Sequence, residues 1–125
     1  MKHLSQAHVK RRVKYWARRL RLGDVRFAVQ FGPDPDPEDD STAACLAAPE
    51  YEQALLRFDL KAIPTEEMES HVIHEILHYA VWPLSSFAHS LCGEDARLFE
   101  ELRKKEEGMT TYIERLVLDL TKDTA

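Results

Sequence analysis

Apolar residues in the first part of the chain recur at helical spacing. Val9, Val13, Trp16, Ala17 and Leu20 stand at i, i+4, i+7, i+8 and i+11, one stripe of an amphipathic helix. Ser5 is placed to cap its start, and Gly23 follows Leu22 as a left-handed stop. The period then changes to two. Val25, Phe27, Val29 and Phe31 alternate with Arg26, Ala28 and Gln30, which predicts a half-buried strand over 25–31. Residues 32–41, GPDPDPEDDS, carry three prolines and four aspartates and predict an exposed acidic loop. Two more strands, 42–48 and 53–60, flank Pro49-Glu50-Tyr51-Glu52 as a hairpin-like turn.

Pro64 and Thr65 open a second helix, with Glu66 and Glu67 in its first turn, where acids suit the dipole. It is expected to run to about Val81 and stop at Trp82-Pro83, leaving 84–93 as a loop. A last helix covers roughly 94–121, with Gly108 as its one point of interruption. Leu98, Leu102, Met109, Ile113, Leu116 and Leu120 mark its expected core face. Strands grouped in the middle with helices outside predict an α+β fold with a small, mainly antiparallel three-stranded sheet.

Composition narrows the class. The 125 residues are the usual size of one domain, here read as 1–125. With 44% hydrophobic and 31% charged residues the chain is globular rather than disordered. No apolar run approaches the ~20 residues of a membrane span, so no membrane partner is expected. The N-terminus is polar and basic without an apolar stretch behind it, so no secretory leader is expected. The two cysteines, Cys45 and Cys92, are far apart and read as free thiols of a reducing, cytoplasmic compartment. A monomer or a small homo-oligomer is expected.

Charge is unevenly spread. The net charge is -5, yet residues 1–26 hold nine of the seventeen lysines and arginines and a single acid, Asp24. With Tyr15 and Trp16 inside it, this segment could contact nucleic acid. The favoured reading is a solvated basic helix face with Trp16 in the core, because no nucleic-acid motif accompanies it.

The second helix carries the chemistry. SHVIHEILHYAVWP, residues 70–83, contains His74-Glu75-Ile76-Leu77-His78. Residues i and i+4 share one helical face about 6 Å apart, so two imidazoles can converge on one ion. Catalytic zinc takes three protein ligands and a water, and the metal lowers the pKa of that water. Glu75, one step round the helix, can reach the water as general base and pass its proton to a leaving amine. Val72, Ile73, Ile76, Leu77, Ala80 and Val81 surround these polar residues, which predicts a buried central helix. His71 lies near the same face, but His71 and His78 are about 10.5 Å apart along the axis, too far for one ion. His71 and the loop residue His89 are therefore expected to support the site or touch substrate. His3 and His8 are expected to play no part.

The third ligand must come from elsewhere, since Val81 and Leu84 stand where a metzincin-type helix would continue toward a histidine. The acids of EELRKKEEGMTTYIERL remain. Glu106 shares the expected core face with Leu102 and Met109, and a carboxylate there needs a charge partner such as a metal. Glu107 lies about 100° further round and becomes the better ligand if Gly108 shifts the register. Glu114 ranks behind both.

HEILH, followed by this acidic helix, resembles the gluzincin arrangement, and in particular the very small minigluzincins and short HExxH proteins of phage and bacteria. The resemblance covers almost the whole chain: helix, small sheet, HExxH helix, glutamate-bearing helix. It implies a zinc metallopeptidase, with Zn2+ on His74, His78 and Glu106 or Glu107, Glu75 as general base, and peptide or protein as substrate. It also implies a sheet edge strand that pairs with substrate backbone over the metal, assigned to the third strand, within 53–60. Two other functions compete with it: a zinc-stabilised binding module that does not cleave, and a DNA-associated protease that uses the basic N-terminal helix.

Overall fold

The computed structural model describes residues 4–33 and 41–122. His3 and most of the acidic segment predicted over 32–41 lie outside the described residues. In chain order the elements are α1 (Gln6–Arg19), β1 (Arg26–Phe31), β2 (Ala43–Ala48), a 3-10 turn (Pro49–Tyr51), β3 (Gln53–Phe58), a second 3-10 turn (Thr65–Glu67), α2 (Met68–Leu91) and α3 (Ala96–Thr121). The fold is α+β, with helices packed on one face of a three-stranded sheet.

The sheet order is β1-β3-β2. β3 is parallel to β1, with Arg26 opposite Gln53 and Phe31 opposite Phe58. It is antiparallel to β2, with Ala43 opposite Phe58 and Ala48 opposite Gln53. The sheet is therefore mixed rather than mainly antiparallel, and β3 is its centre rather than an edge. The reason lies in burial. Ala54, Leu56 and Phe58 alternate into the helix layer, and Leu56 and Phe58 are fully buried. The strand with the most apolar inner face takes the position with neighbours on both sides. The hairpin between β2 and β3 forms as expected and closes through Glu52, which takes a left-handed conformation. Across the loop, Arg57 donates to the carbonyl of Gly32 at 3.0 Å and to the carbonyl and hydroxyl of Ser41 at 3.1 and 2.9 Å. One guanidinium thus holds both ends of the acidic segment.

One core joins the layers. Val9, Val13 and Trp16 of α1, Leu56 and Phe58 of β3, and Met68, Val72, Ile73, Ile76 and Leu77 of α2 pack together. Arg12 also reaches Glu69, donating through Nε at 2.6 Å, and Trp16 donates to the same carboxylate at 3.2 Å. Trp16 is thus a core residue with a polar tether, not an exposed stacking surface. No described helix is long and apolar enough to cross a membrane. Cys45 and Cys92 are both free.

Three expectations about helix ends and faces are corrected. α1 starts at Ser5 as predicted, and the Ser5 hydroxyl accepts from the His8 amide at 3.1 Å. It ends earlier than Gly23, however. Leu22 donates to the Ala17 carbonyl at 2.7 Å and Arg21 to Arg18 at 3.1 Å, with Arg21 itself at φ 63°. This is a Schellman closure whose left-handed position is an arginine. Arg21→Gly removes that backbone cost and is expected to stabilise the protein by about 0.5–1 kcal/mol, read from urea unfolding. No gain would mean that the Arg21 side chain contributes as much as its backbone costs.

The second correction concerns α2, which does not stop at Trp82-Pro83. It passes through Pro83 and ends at Leu91, where Gly93 at φ 59° leaves the helix. Residues 84–91 are therefore helix, not loop. Pro83 removes one helical donor and would break an isolated helix. The segment beyond it carries Ser85 and His89, both engaged with a carboxylate of α3, and Ser85 is buried. Packing between α2 and α3 carries the helix across the proline.

Finally, α3 is continuous through Gly108 and its inner face is not the predicted one. Leu98, Met109, Leu116 and Leu120 are exposed, and only Ile113 of the expected set packs on the core. Thr110 and Glu114 are the buried positions, and Val117 and Leu118 pack on the core with Ile113. The inner face is polar because the α2 face opposite it is polar.

Candidate metal centre

α2 and α3 meet along a seam of histidines and carboxylates. His74 and His78 stand one turn apart on α2, as their spacing requires, with ring centroids 4.8 Å apart and planes at 76°. Their Nε2 atoms lie 3.1 Å from each other. Glu107 of α3 spans both: one oxygen is 2.6 Å from His74 Nε2, the other 3.2 Å from His78 Nε2. His74, His78 and Glu107 form the one group of three among the described residues whose ligand atoms all fall within 4.8 Å. Ligand bonds of about 2.0 Å in a tetrahedron place the ligand atoms about 3.3 Å apart; the two Nε2 atoms stand close to that at 3.1 Å, and the two Glu107 oxygens approach the same point, one beside each imidazole. Two imidazoles and a carboxylate are also a donor set that zinc accepts.

The opposite ring nitrogens face two further acids of α3. His74 Nδ1 lies 3.5 Å from Glu114 and His78 Nδ1 lies 3.6 Å from Glu106. A carboxylate at Nδ1 holds the proton there and leaves the Nε2 lone pair free for a metal. Each acid is held in turn. Ser70 donates to Glu114 at 2.9 Å, and Ser85 donates to Glu106 at 2.5 Å. His89 Nε2 stands 3.4 Å from Glu106, and its ring packs on Phe99 at 4.3 Å. These contacts supply partners that buried carboxylates need, since an unpaired one would cost several kcal/mol.

The sequence-derived candidates thus separate into roles. His74 and His78 stand as expected. Glu107, not Glu106, reaches the Nε2 atoms, and it does so without any break at Gly108. Glu106 faces inward as expected but sits behind His78. His89 is drawn in beside it, because α2 continues as helix past Pro83. His71 points back toward Glu67, 3.9 Å away and four residues earlier, and is outside the ligand group. Burial lowers its pKa. His8 lies in the first turn of α1, where its amide donates to the Ser5 hydroxyl, and it is not part of the ligand group. Glu114, the third-ranked acid, faces His74 Nδ1 rather than the Nε2 pair, and Ser70 and Ser85 join the site as partners of Glu114 and Glu106 that no motif announces. Spacing is a signal for Ser70 and Glu114: Ser70 precedes His74 by four, and Glu114 follows Glu107 by seven, so each pair shares a helix face.

Glu75 lies beside the ligand group in a cleft of about 330 Å³ walled by β2, α2 and α3. It is 6% exposed and has no hydrogen-bond partner among the described residues. Burial pushes its carboxyl up to about 7; the charge of Glu107 adds to this, while His74 opposes it. A carboxyl near neutrality is suited to taking and returning a proton. Burial likewise lowers the pKa of His78, with His74 adding to the effect. Cys45, also in the cleft wall, is pushed up to about 12 by burial and then by the charge of Glu75, so it is a thiol and not a nucleophile.

The edge strand beside the centre is β2, not β3. Ala43, Cys45 and Ala47 line the cleft. Asp59 donates to the Thr42 carbonyl at 2.8 Å, so Thr42 and alternate residues after it turn their main chain toward β3. Ala43, Cys45 and Ala47 therefore direct theirs outward. The chain matches no family model, no curated protein and no solved structure.

Proposed function

We propose that this chain is a zinc metallopeptidase of the gluzincin type, hydrolysing a peptide bond with Glu75 as the proton carrier. The observation that supports it most is the convergence of His74 Nε2, His78 Nε2 and the Glu107 carboxylate beside a buried glutamate one residue from the first ligand. These three residues would hold the zinc, and Glu106 and Glu114 would orient its imidazoles. When bound, zinc acts as a Lewis acid that lowers the pKa of water and polarises a carbonyl. Glu75 takes the proton from the attacking water and returns it to the amine. The C–O bond forms, the C–N bond breaks, and no other reactant is consumed.

The outward main chain of Ala43, Cys45 and Ala47 is available to pair with an extended substrate backbone across the cleft. Small side chains on that wall suit a site that reads backbone more than sequence. A DNA-associated role for α1 is less supported, because Trp16 is buried and Tyr15 lies under Arg12, 4.2 Å from its guanidinium.

The reading is tested by incubating zinc-loaded chain with an unfolded protein and following new N-termini. Cleavage is expected, stopping on chelation and returning when zinc is added back. Zinc retained at full occupancy without any cleavage would replace this reading with a zinc-stabilised binding module.

A further inference from the structure

We propose that the outer edge of β1, with the basic face of α1 beside it, is a docking site for an extended acidic peptide that adds to the sheet as a fourth strand. This site lies at the opposite edge of the sheet from the candidate metal centre and does not depend on zinc chemistry.

Three observations carry it. First, β1 has a strand on one side only. Arg26 donates to the Glu52 carbonyl at 2.9 Å and Gly32 to the Phe58 carbonyl at 3.0 Å, so the even-numbered residues turn their main chain toward β3. By strand alternation the amides and carbonyls of Phe27 and Val29 face outward, and no described element pairs with them. An open edge of this kind is a template for another strand. Second, a groove of about 750 Å³ runs between that edge and α1. Its floor is apolar, with Val13 and Ala17 from the helix and Phe27 and Val29 from the strand. Third, its rim is cationic. Lys10, Lys14 and Arg18 stand at i, i+4 and i+8 along α1, and Arg26 begins β1. All four are exposed, and none has a carboxylate partner among the described residues. Arg12, which points the other way, is held by Glu69. Like charges at i and i+4 weaken a helix, so the row opposes the stability of α1 unless something anionic covers it.

The same features choose among anionic partners. An outward row of amides and carbonyls is matched by a peptide backbone, and an apolar floor by aliphatic stems. Glutamate can lay its methylenes over the half-buried Phe27 and Val29 while its carboxylate meets the lysines of the rim. A single-stranded nucleic acid would add base stacking on exposed aromatic faces to its phosphate contacts. The aromatic residue of the groove lining, Phe27, packs its ring edge-on against Tyr79 at 5.6 Å, Tyr15 holds the Arg12 guanidinium 4.2 Å from its ring centroid, and Trp16 is buried.

The test uses the full chain carrying Glu75→Gln, so that the probe cannot be consumed. The probe is a fluorescein-labelled peptide alternating glutamate and valine over about ten residues, the upper length of an ordinary strand, followed by anisotropy at low salt. The acidic peptide is expected to bind, and Lys10→Glu with Lys14→Glu to weaken it about tenfold or more in a chain that still unfolds cooperatively. A peptide with lysine in place of glutamate is expected not to bind. N-methylation of alternate peptide amides is expected to abolish binding, because it blocks a strand ladder and leaves the charge intact. Equal binding of the N-methylated or lysine peptide would overturn the proposal. So would unchanged affinity in a folded double variant. Single-stranded DNA of equal charge that binds more tightly, with the same dependence on Lys10 and Lys14, would reassign the surface to nucleic acid. If the double variant does not fold, the peptide comparisons on the otherwise unaltered chain still decide the matter.

Discussion

His78→Ala is expected to weaken zinc binding by a factor of about a hundred or more. Structural zinc sites are worth about 10–16 kcal/mol from four ligands, so one ligand carries about 3 kcal/mol, or roughly two decades in affinity. His78 Nε2 stands 3.1 Å from His74 Nε2 and 3.2 Å from Glu107, and no other described side chain completes that group of three. Glu107→Gln is expected to show a loss of similar size. Glu106→Gln and Glu114→Gln act behind the imidazoles and are expected to cost about 10–100-fold, the usual range for groups that orient a ligand. Competition against a chromophoric chelator, on protein purified without chelating agents, gives all four values. Wild-type protein that holds no zinc near one per chain would remove the metal centre altogether. A larger loss for Glu106→Gln than for Glu107→Gln would exchange the roles of the two glutamates.

Glu75→Gln is expected to leave zinc bound and to reduce hydrolysis by roughly 10²–10⁴-fold, the usual contribution of a positioned general base. The substitution keeps the shape of the side chain in a site where it is 6% exposed, so packing is preserved. What is lost is the ability to accept a proton. Zinc content and turnover must be measured on the same preparation, because a variant that has lost its metal says nothing of the base. Hydrolysis at the parent rate in zinc-loaded Glu75→Gln would end the role given to this residue.

The exposed side of α3 is a consequence of the same site. Met109, Tyr112, Leu116 and Leu120 all face solvent, while Glu106, Thr110 and Glu114 face α2. An amphipathic reading assumes that the apolar side of a helix is the inner one. That assumption fails where two helices enclose a polar centre, and it misplaced the inner face of α3. It also placed Glu106 ahead of Glu107. Both glutamates point into the seam, and the difference of about 100° between them settles which one meets the Nε2 atoms and which one meets Nδ1.

Local rules were sufficient wherever the cause is local. The alternation of β1, the stripe of α1, the Ser5 cap and the i, i+4 placement of His74 and His78 all follow from backbone periodicity and near-neighbour hydrogen bonds. They could be read directly from the residues, as could the α+β class, which rests on element order. Contacts between distant segments were not open to that reading. Pro83 lies within a helix because Ser85 and His89 find Glu106 across the seam. β3 lies at the centre of a mixed sheet because Leu56 and Phe58 need cover on both sides. Arg21 adopts the left-handed position because two main-chain bonds close the end of α1 before Gly23 is reached. The meeting of His74, His78 and Glu107 requires α3 to lie antiparallel beside α2 in one register, and register is a sum over many weak contacts that no single residue announces.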